Sequence, residues 1–138
     1  MSTDLQIQIA HLSDAARYDA CVEAGSAMTE RPHLPAGFVP ERAVSYVNAG
    51  GRRMAVLKIL QTSACEKNCY YCPFRAGRDF RRESLTPDDL AYAFDQMVRA
   101  GLVEGLFLSS GIVGAAHTMD RMLATVELVR RRYHFPSY

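Results

Sequence analysis

Two short, nearly continuous apolar runs punctuate the chain, Met-Ala-Val-Leu-Lys-Ile-Leu-Gln at 54–61 and Gly-Leu-Phe-Leu-Ser at 105–109. Runs of this length suit strands that are covered on both faces of a parallel sheet. Each is followed by a stretch with apolar residues at helical spacing. After the first run, Thr86-Pro87-Asp88-Asp89 reads as a helix start, with a hydroxyl cap, proline in the first turn and acids against the positive helix end. Leu90, Phe94, Met97 and Val98 form its apolar stripe, and Gly101 closes it. After the second run, Thr118 is expected to cap a helix that buries Met122, Leu123, Val126 and Val129. Its last turn carries Arg130, Arg131 and Arg132, a favourable placement at the negative end. Strand, helix, strand, helix implies parallel βα units.

Upstream the pattern is weaker. Residues 4–24 place Leu5, Ile9, Leu12, Ala16 and Ala20 at helical spacing, and Ser13 reads as the start of a second short helix. Residues 26–42 contain Pro32, Pro35, Gly37 and Pro40 and read as irregular chain. Within them His33 and Phe38 are candidate lid contacts, set against the plainer reading of a solvated linker. A short strand is expected at 44–47, and Asn48-Ala49-Gly50-Gly51 is turn chemistry that would pair it as a hairpin with the first apolar run. Lys58 interrupts that run. The expectation is that its ammonium reaches solvent at a sheet edge, and the alternative is that it points inward to an anionic ligand. The organisation is thus an N-terminal helical extension, loop and hairpin strand over 1–53, and βα units over 54–138.

A length of 138 residues accommodates one ordinary domain. Hydrophobic residues at 49% and charged residues at 22% match the soluble globular class. The net charge of +1 gives no global case for a nucleic-acid surface. No apolar run approaches the ~18–20 residues of a membrane span, and nothing at the N-terminus reads as a secretory signal. A cytoplasmic location, with thiols kept reduced and no membrane partner, is the expectation.

Candidate chemistry concentrates in Cys65-Glu66-Lys67-Asn68-Cys69-Tyr70-Tyr71-Cys72, which holds three of the four cysteines in a C-x₃-C-x₂-C spacing. Thiolates suit iron–sulfur clusters, zinc and cuprous copper. Three of them on one loop can hold three irons of a cubane and leave the fourth open. Other readings stay in view. Positions i, i+4 and i+7 share a helix face, although Pro73 and the polar run Glu66-Lys67-Asn68 oppose a long helix here. A structural zinc takes four Cys or His ligands and would recruit Cys21, His33 or His117 from a distance. The absence of a secretory signal disfavours disulfides. Beyond the cysteines, Arg75, Arg78, Arg81 and Arg82 alternate with Phe74 and Phe80. Such a mix can grip phosphate and stack on bases, or, balanced by Asp79 and Glu83, form a solvated loop. Ligands of parallel βα folds sit at the carboxyl ends of the strands. The cysteine loop and Ser109-Ser110-Gly111 therefore belong on one rim.

With Tyr71 directly before the last cysteine, this loop resembles the signature of the radical SAM family. The resemblance implies an α/β fold, an incomplete parallel (βα) barrel of the radical SAM type, of which about two units are legible. The chain then looks like the N-terminal piece of a longer enzyme, inactive alone. It also implies a [4Fe–4S] cluster on Cys65, Cys69 and Cys72, with S-adenosyl-L-methionine on the open iron. A flavodoxin- or ferredoxin-like donor would supply the electron that cleaves it to methionine and a 5′-deoxyadenosyl radical. Tyr71 matches the aromatic position beside the adenine. Ser109, Ser110 and Gly111 stand where the family has Gly-Gly-Glu, whose backbone meets the amino group of S-adenosylmethionine; the glutamate is absent here. The stretch from Ala15 to Cys21, the run Leu57-Lys58-Ile59-Leu60 and the stretch from Val103 to Gly111 are similar to a radical SAM subfamily named for DNA modification or repair. Its members continue to a helix-hairpin-helix segment, so nucleic acid is an implied partner of the full-length protein, on the strength of that name. The alternative is a non-catalytic zinc- or cluster-binding module that meets nucleic acid through the arginine loop. An incomplete barrel predicts unpaired backbone groups along the outer side of the second strand, with the tail 134–138 extended beside it.

Overall fold

A computed structural model of the chain describes residues 1–18 and 43–136. Its elements are helix α1 (Thr3–Ala15), strands β1 (Val44–Ala49) and β2 (Arg52–Leu60), helix α2 (Pro87–Arg99), strand β3 (Gly105–Ser109) and helix α3 (Ala115–Glu127). The fold is mixed α/β, with a three-stranded sheet in the order β1-β2-β3. Cys21, His33, Phe38 and Ala20 lie outside the described residues, as does the end of the tail at 137–138.

The expected hairpin forms and is longer than its sequence signal. Val44 faces Leu57 and Ala49 faces Arg52 in an antiparallel ladder. Gly50 and Gly51 close it with φ of 58° and 79°, a pair of left-handed residues that matches the twist of the flanking strands. β3 pairs in parallel on the other side, from Val56 opposite Gly105 to Leu60 opposite Ser109. β2 is therefore central, which corrects the expectation for Lys58. The residue is only 7% exposed, and its ammonium lies 5.5 Å from the ring centroid of Phe107, its register partner on β3.

The connection from β2 to β3 runs through α2, which begins and ends as its sequence predicts. Thr86 Oγ1 accepts from the Asp89 N–H at 3.1 Å and donates to the Asp89 carboxylate at 2.7 Å. At the other end the N–H of Leu102 donates to Met97 O and that of Gly101 to Val98 O. This paired closure needs a left-handed residue after the cap, and Gly101 has φ 71°. Leu90, Phe94 and Met97 are fully buried, each worth about 1.5–3 kcal/mol of apolar burial. They join Leu57 and Ile59 of β2 and Leu5, Ile9 and Leu12 of α1 in one contiguous core.

Three helix expectations are corrected. Ser13 starts no second helix; it is buried within α1 and its hydroxyl donates to Lys58 O at 2.7 Å, tying the helix to the central strand. Thr118 is not the cap of the last helix. That helix starts at Ala115 behind Gly114, and the Thr118 hydroxyl instead bonds both backbone groups of Val113. Of the expected apolar face only Val129 is buried, whereas Leu123 is 58% and Val126 43% exposed. Thr125, a polar residue, is the one α3 position wholly buried.

β3 pairs with β2 alone among the described residues, so its other side is an open sheet edge, as expected. The tail behaves differently. A π-helical turn over Leu128–Arg132 ends α3, and His134, with φ 54°, reverses the chain. Phe135 then donates its N–H to Val129 O and sets its ring edge-on to Phe94 at 4.8 Å. An aromatic residue near a fully buried phenylalanine gains more by covering it than by extending along a strand edge.

Candidate metal centre

The cysteine loop grows from the carboxyl end of β2 and is closed at its neck by a second pass of chain. Ser63 donates its N–H to Glu83 O and Leu85 to Gln61 O, with Thr62 bridged to Ser84. The Thr62 and Ser84 hydroxyls lie 2.5 Å apart. Inside the loop, Phe74 is buried and meets Tyr18 and Phe80 edge-on. The Arg82 guanidinium donates to the carbonyls of Ser63, Phe74, Arg75 and Arg78 at 2.6–3.1 Å. A planar fork with five donors suits this task. Arg82 thus serves the loop and not a phosphate, and Arg81 is taken up by Glu83 at 2.8 Å. Of the four loop arginines, Arg75 lies 5.6 Å from the Tyr70 ring centroid.

Of the cysteines on this braced loop, Cys69 faces outward and Cys72 packs against the core. Cys69 is exposed, and Cys65 and Cys72 are half-buried free thiols. A turn joins them, with the Cys72 N–H on Cys69 O at 3.1 Å and the Arg75 N–H on Cys72 O at 3.3 Å. Tyr70 and Tyr71 stand 93% and 90% exposed beside them. Among the described residues, no three His, Cys, Asp or Glu side chains are grouped round a single ion position. A cubane takes one thiolate per iron, so it does not ask its cysteines to converge on one point, as a tetrahedral zinc does.

Ser109, Ser110 and Gly111 do reach the same rim. Gln61 donates its N–H to Ser109 O, and Gly111 its own to Thr62 O at 2.7 Å. The crossing is so tight that a Cβ on Gly111 would lie 2.2 Å from Ala64 O. One step further, Glu66 N–H donates to Ile112 O at 2.7 Å and Ile112 N–H reaches Cys65 Sγ at 3.5 Å. The Gly114 N–H donates to the Glu66 carboxylate at 3.1 Å. That bond, with the Lys67 ammonium beside it, holds the Glu66 carboxyl below its ordinary pKa. Sequence reasoning missed Glu66, Ile112 and Arg82. Their partners lie on other loops or are backbone carbonyls, and neither leaves a spacing signal. The Ser109 hydroxyl is buried with no hydrogen-bond partner among the described residues. The loop carries three soft thiols, one of them already accepting an N–H bond. No protein-family model, curated protein or solved structure matches the chain.

Proposed function

We propose that Cys65, Cys69 and Cys72 hold a [4Fe–4S] cluster and that the chain carries the cluster-binding part of a radical SAM enzyme. The observation that supports this reading is the interlock between the cysteine loop and the loop leaving the parallel neighbour strand, through Ile112 N–H to Cys65 Sγ and Glu66 N–H to Ile112 O. A bound cluster with an open iron would supply the electron that cleaves S-adenosylmethionine to methionine and a 5′-deoxyadenosyl radical. The residues contribute the rest. Ile112 stabilises charge on the Cys65 sulfur, because an N–H bond to a thiolate sulfur raises the potential of the group it holds. Arg82 fixes the loop path, and Gly111 lets two backbones cross without a side chain between them.

Tyr71, Ser109, Ser110 and Gly111 are the proposed contacts to S-adenosylmethionine. Ser109 and Gly111 are held by β2 and its extension at Gln61 and Thr62, while Tyr71 is free to lie against a ligand. The open side of β3 is where further parallel strands of a barrel would add. Nucleic acid as substrate and a flavodoxin- or ferredoxin-like donor belong to the same proposal. Electron paramagnetic resonance of the anaerobically reduced, cluster-loaded protein tests it. Addition of S-adenosylmethionine should change the signal through ligation at the open iron, and an unchanged signal in folded protein would contradict the reading.

A further inference from the structure

Behind the cysteine rim lies a cleft of about 160 Å³, lined by Gln61, Thr62, Ser84, Ser110, His117 and Arg121 among others. It is reached from the same loops, because Ala64 and Ser110 also border it. Its polar character is one-sided: no aspartate or glutamate lines it. His117 and Arg121 stand four residues apart on α3, on one helix face. The Arg121 guanidinium is oriented by a 2.8 Å bond from one terminal nitrogen to Leu85 O. Its remaining donors have no protein partner among the described residues. Below it, the Gln61 amide donates to the same Leu85 O and accepts from Thr125, which makes a rigid floor. Of the acids on the rim, Glu66 is spent on Gly114 and Glu83 on Arg81.

We propose that this cleft binds a phosphate group, held by the Arg121 fork with His117 as the second donor. Guanidinium matches tetrahedral oxyanions with paired N–H bonds, and the cleft has room for one such group and no carboxylate to repel it. The site stands apart from the cluster reading; only together with that reading does it make a phosphorylated molecule the substrate class presented to the cysteine rim.

The probe is inorganic phosphate, titrated into the full chain at constant ionic strength while the His117 imidazole and the α3 amide signals are followed by NMR. Saturable shifts confined to His117, Arg121 and the 110–118 segment are expected. Acetate at the same concentration should bind more weakly. Arg121→Gln should weaken phosphate binding about tenfold or more, by loss of a charge-assisted pair. Should that variant unfold when Leu85 O loses one of its two donors, His117→Gln, which disturbs no such bond, should weaken binding about threefold. Equal binding of acetate, diffuse shifts over the surface, or unchanged affinity in the folded variants would overturn the proposal. Iron and sulfide content is measured separately, so failure here is distinct from failure of the cluster reading.

Discussion

Arg82 bonds four backbone carbonyls of the loop that carries the cysteines, and a lone carbonyl buried without its donor costs about 1–3 kcal/mol. Arg82→Met should therefore destabilise the protein by about 3 kcal/mol, read as a fall in the urea midpoint. Arg82→Lys should recover only part, since a point charge cannot span four acceptors. Iodoacetamide should also label Cys72 faster in both variants as the loop loosens. An unchanged midpoint for Arg82→Met would remove the guanidinium from its bracing role. Glu66 acts at the same scale by a different force. Its carboxylate accepts from Gly114 and its folded pKa is depressed. A depressed acid contributes stability that is present above the unfolded pKa and is lost as pH falls through the folded value. The brace between the two loops should thus hold at neutral pH and release in acid. The Gly114 amide signal should titrate with a midpoint below the ordinary glutamate value, and a midpoint at or above that value would contradict the bond. Neither role was legible in the sequence. Arg82 read as one of four surface cations, and Glu66 is 48 residues from the group it holds.

Among elements, α2 was the most legible, because each of its signals is local. The Thr86 cap, Pro87, the acids of the first turn and Gly101 all act within a few residues of their own backbone. The Gly50-Gly51 hairpin is readable for the same reason. α3 was read less well. Thr118 has the chemistry of a cap, yet its hydroxyl is drawn to Val113, and Gly114 caps the helix four residues earlier than Thr118 would. Its apolar stripe is real in the sequence but Leu123 and Val126 of it face outward, so burial there cannot be inferred from periodicity alone. The contrast is measurable. Leu90→Ala should cost about 2–5 kcal/mol from cavity formation in the core, whereas Leu123→Ala, half-exposed, should stay within about 0.5 kcal/mol. Equal losses in thermal or urea unfolding would mean that α3 is covered where it stands open here.

On the scale of the molecule, a hairpin, one parallel crossover and three helices place the cysteine loop and the Ser109–Gly111 segment side by side. Parallel βα logic alone predicted that juxtaposition, and it is the part of the site most fully readable from sequence. What the sequence could not supply was how the two loops interlock, since that depends on a glycine crossing and backbone bonds between residues far apart in the chain. No helix among the described residues is long and apolar enough to cross a membrane. Among the described residues the outer edge of β3 has no strand partner and Leu123 and Val126 of α3 are exposed, and Phe135, expected beside that edge, instead covers Phe94. The central claim concerns the three thiols on the rim. Anaerobic reconstitution with iron and sulfide, followed by metal and acid-labile sulfide analysis, tests it most directly. The account predicts roughly four irons and four sulfides per chain, lost when Cys65, Cys69 or Cys72 is replaced by Ala and kept in Cys21→Ala. Stoichiometric zinc without sulfide, or metal binding abolished by Cys21→Ala, would contradict it.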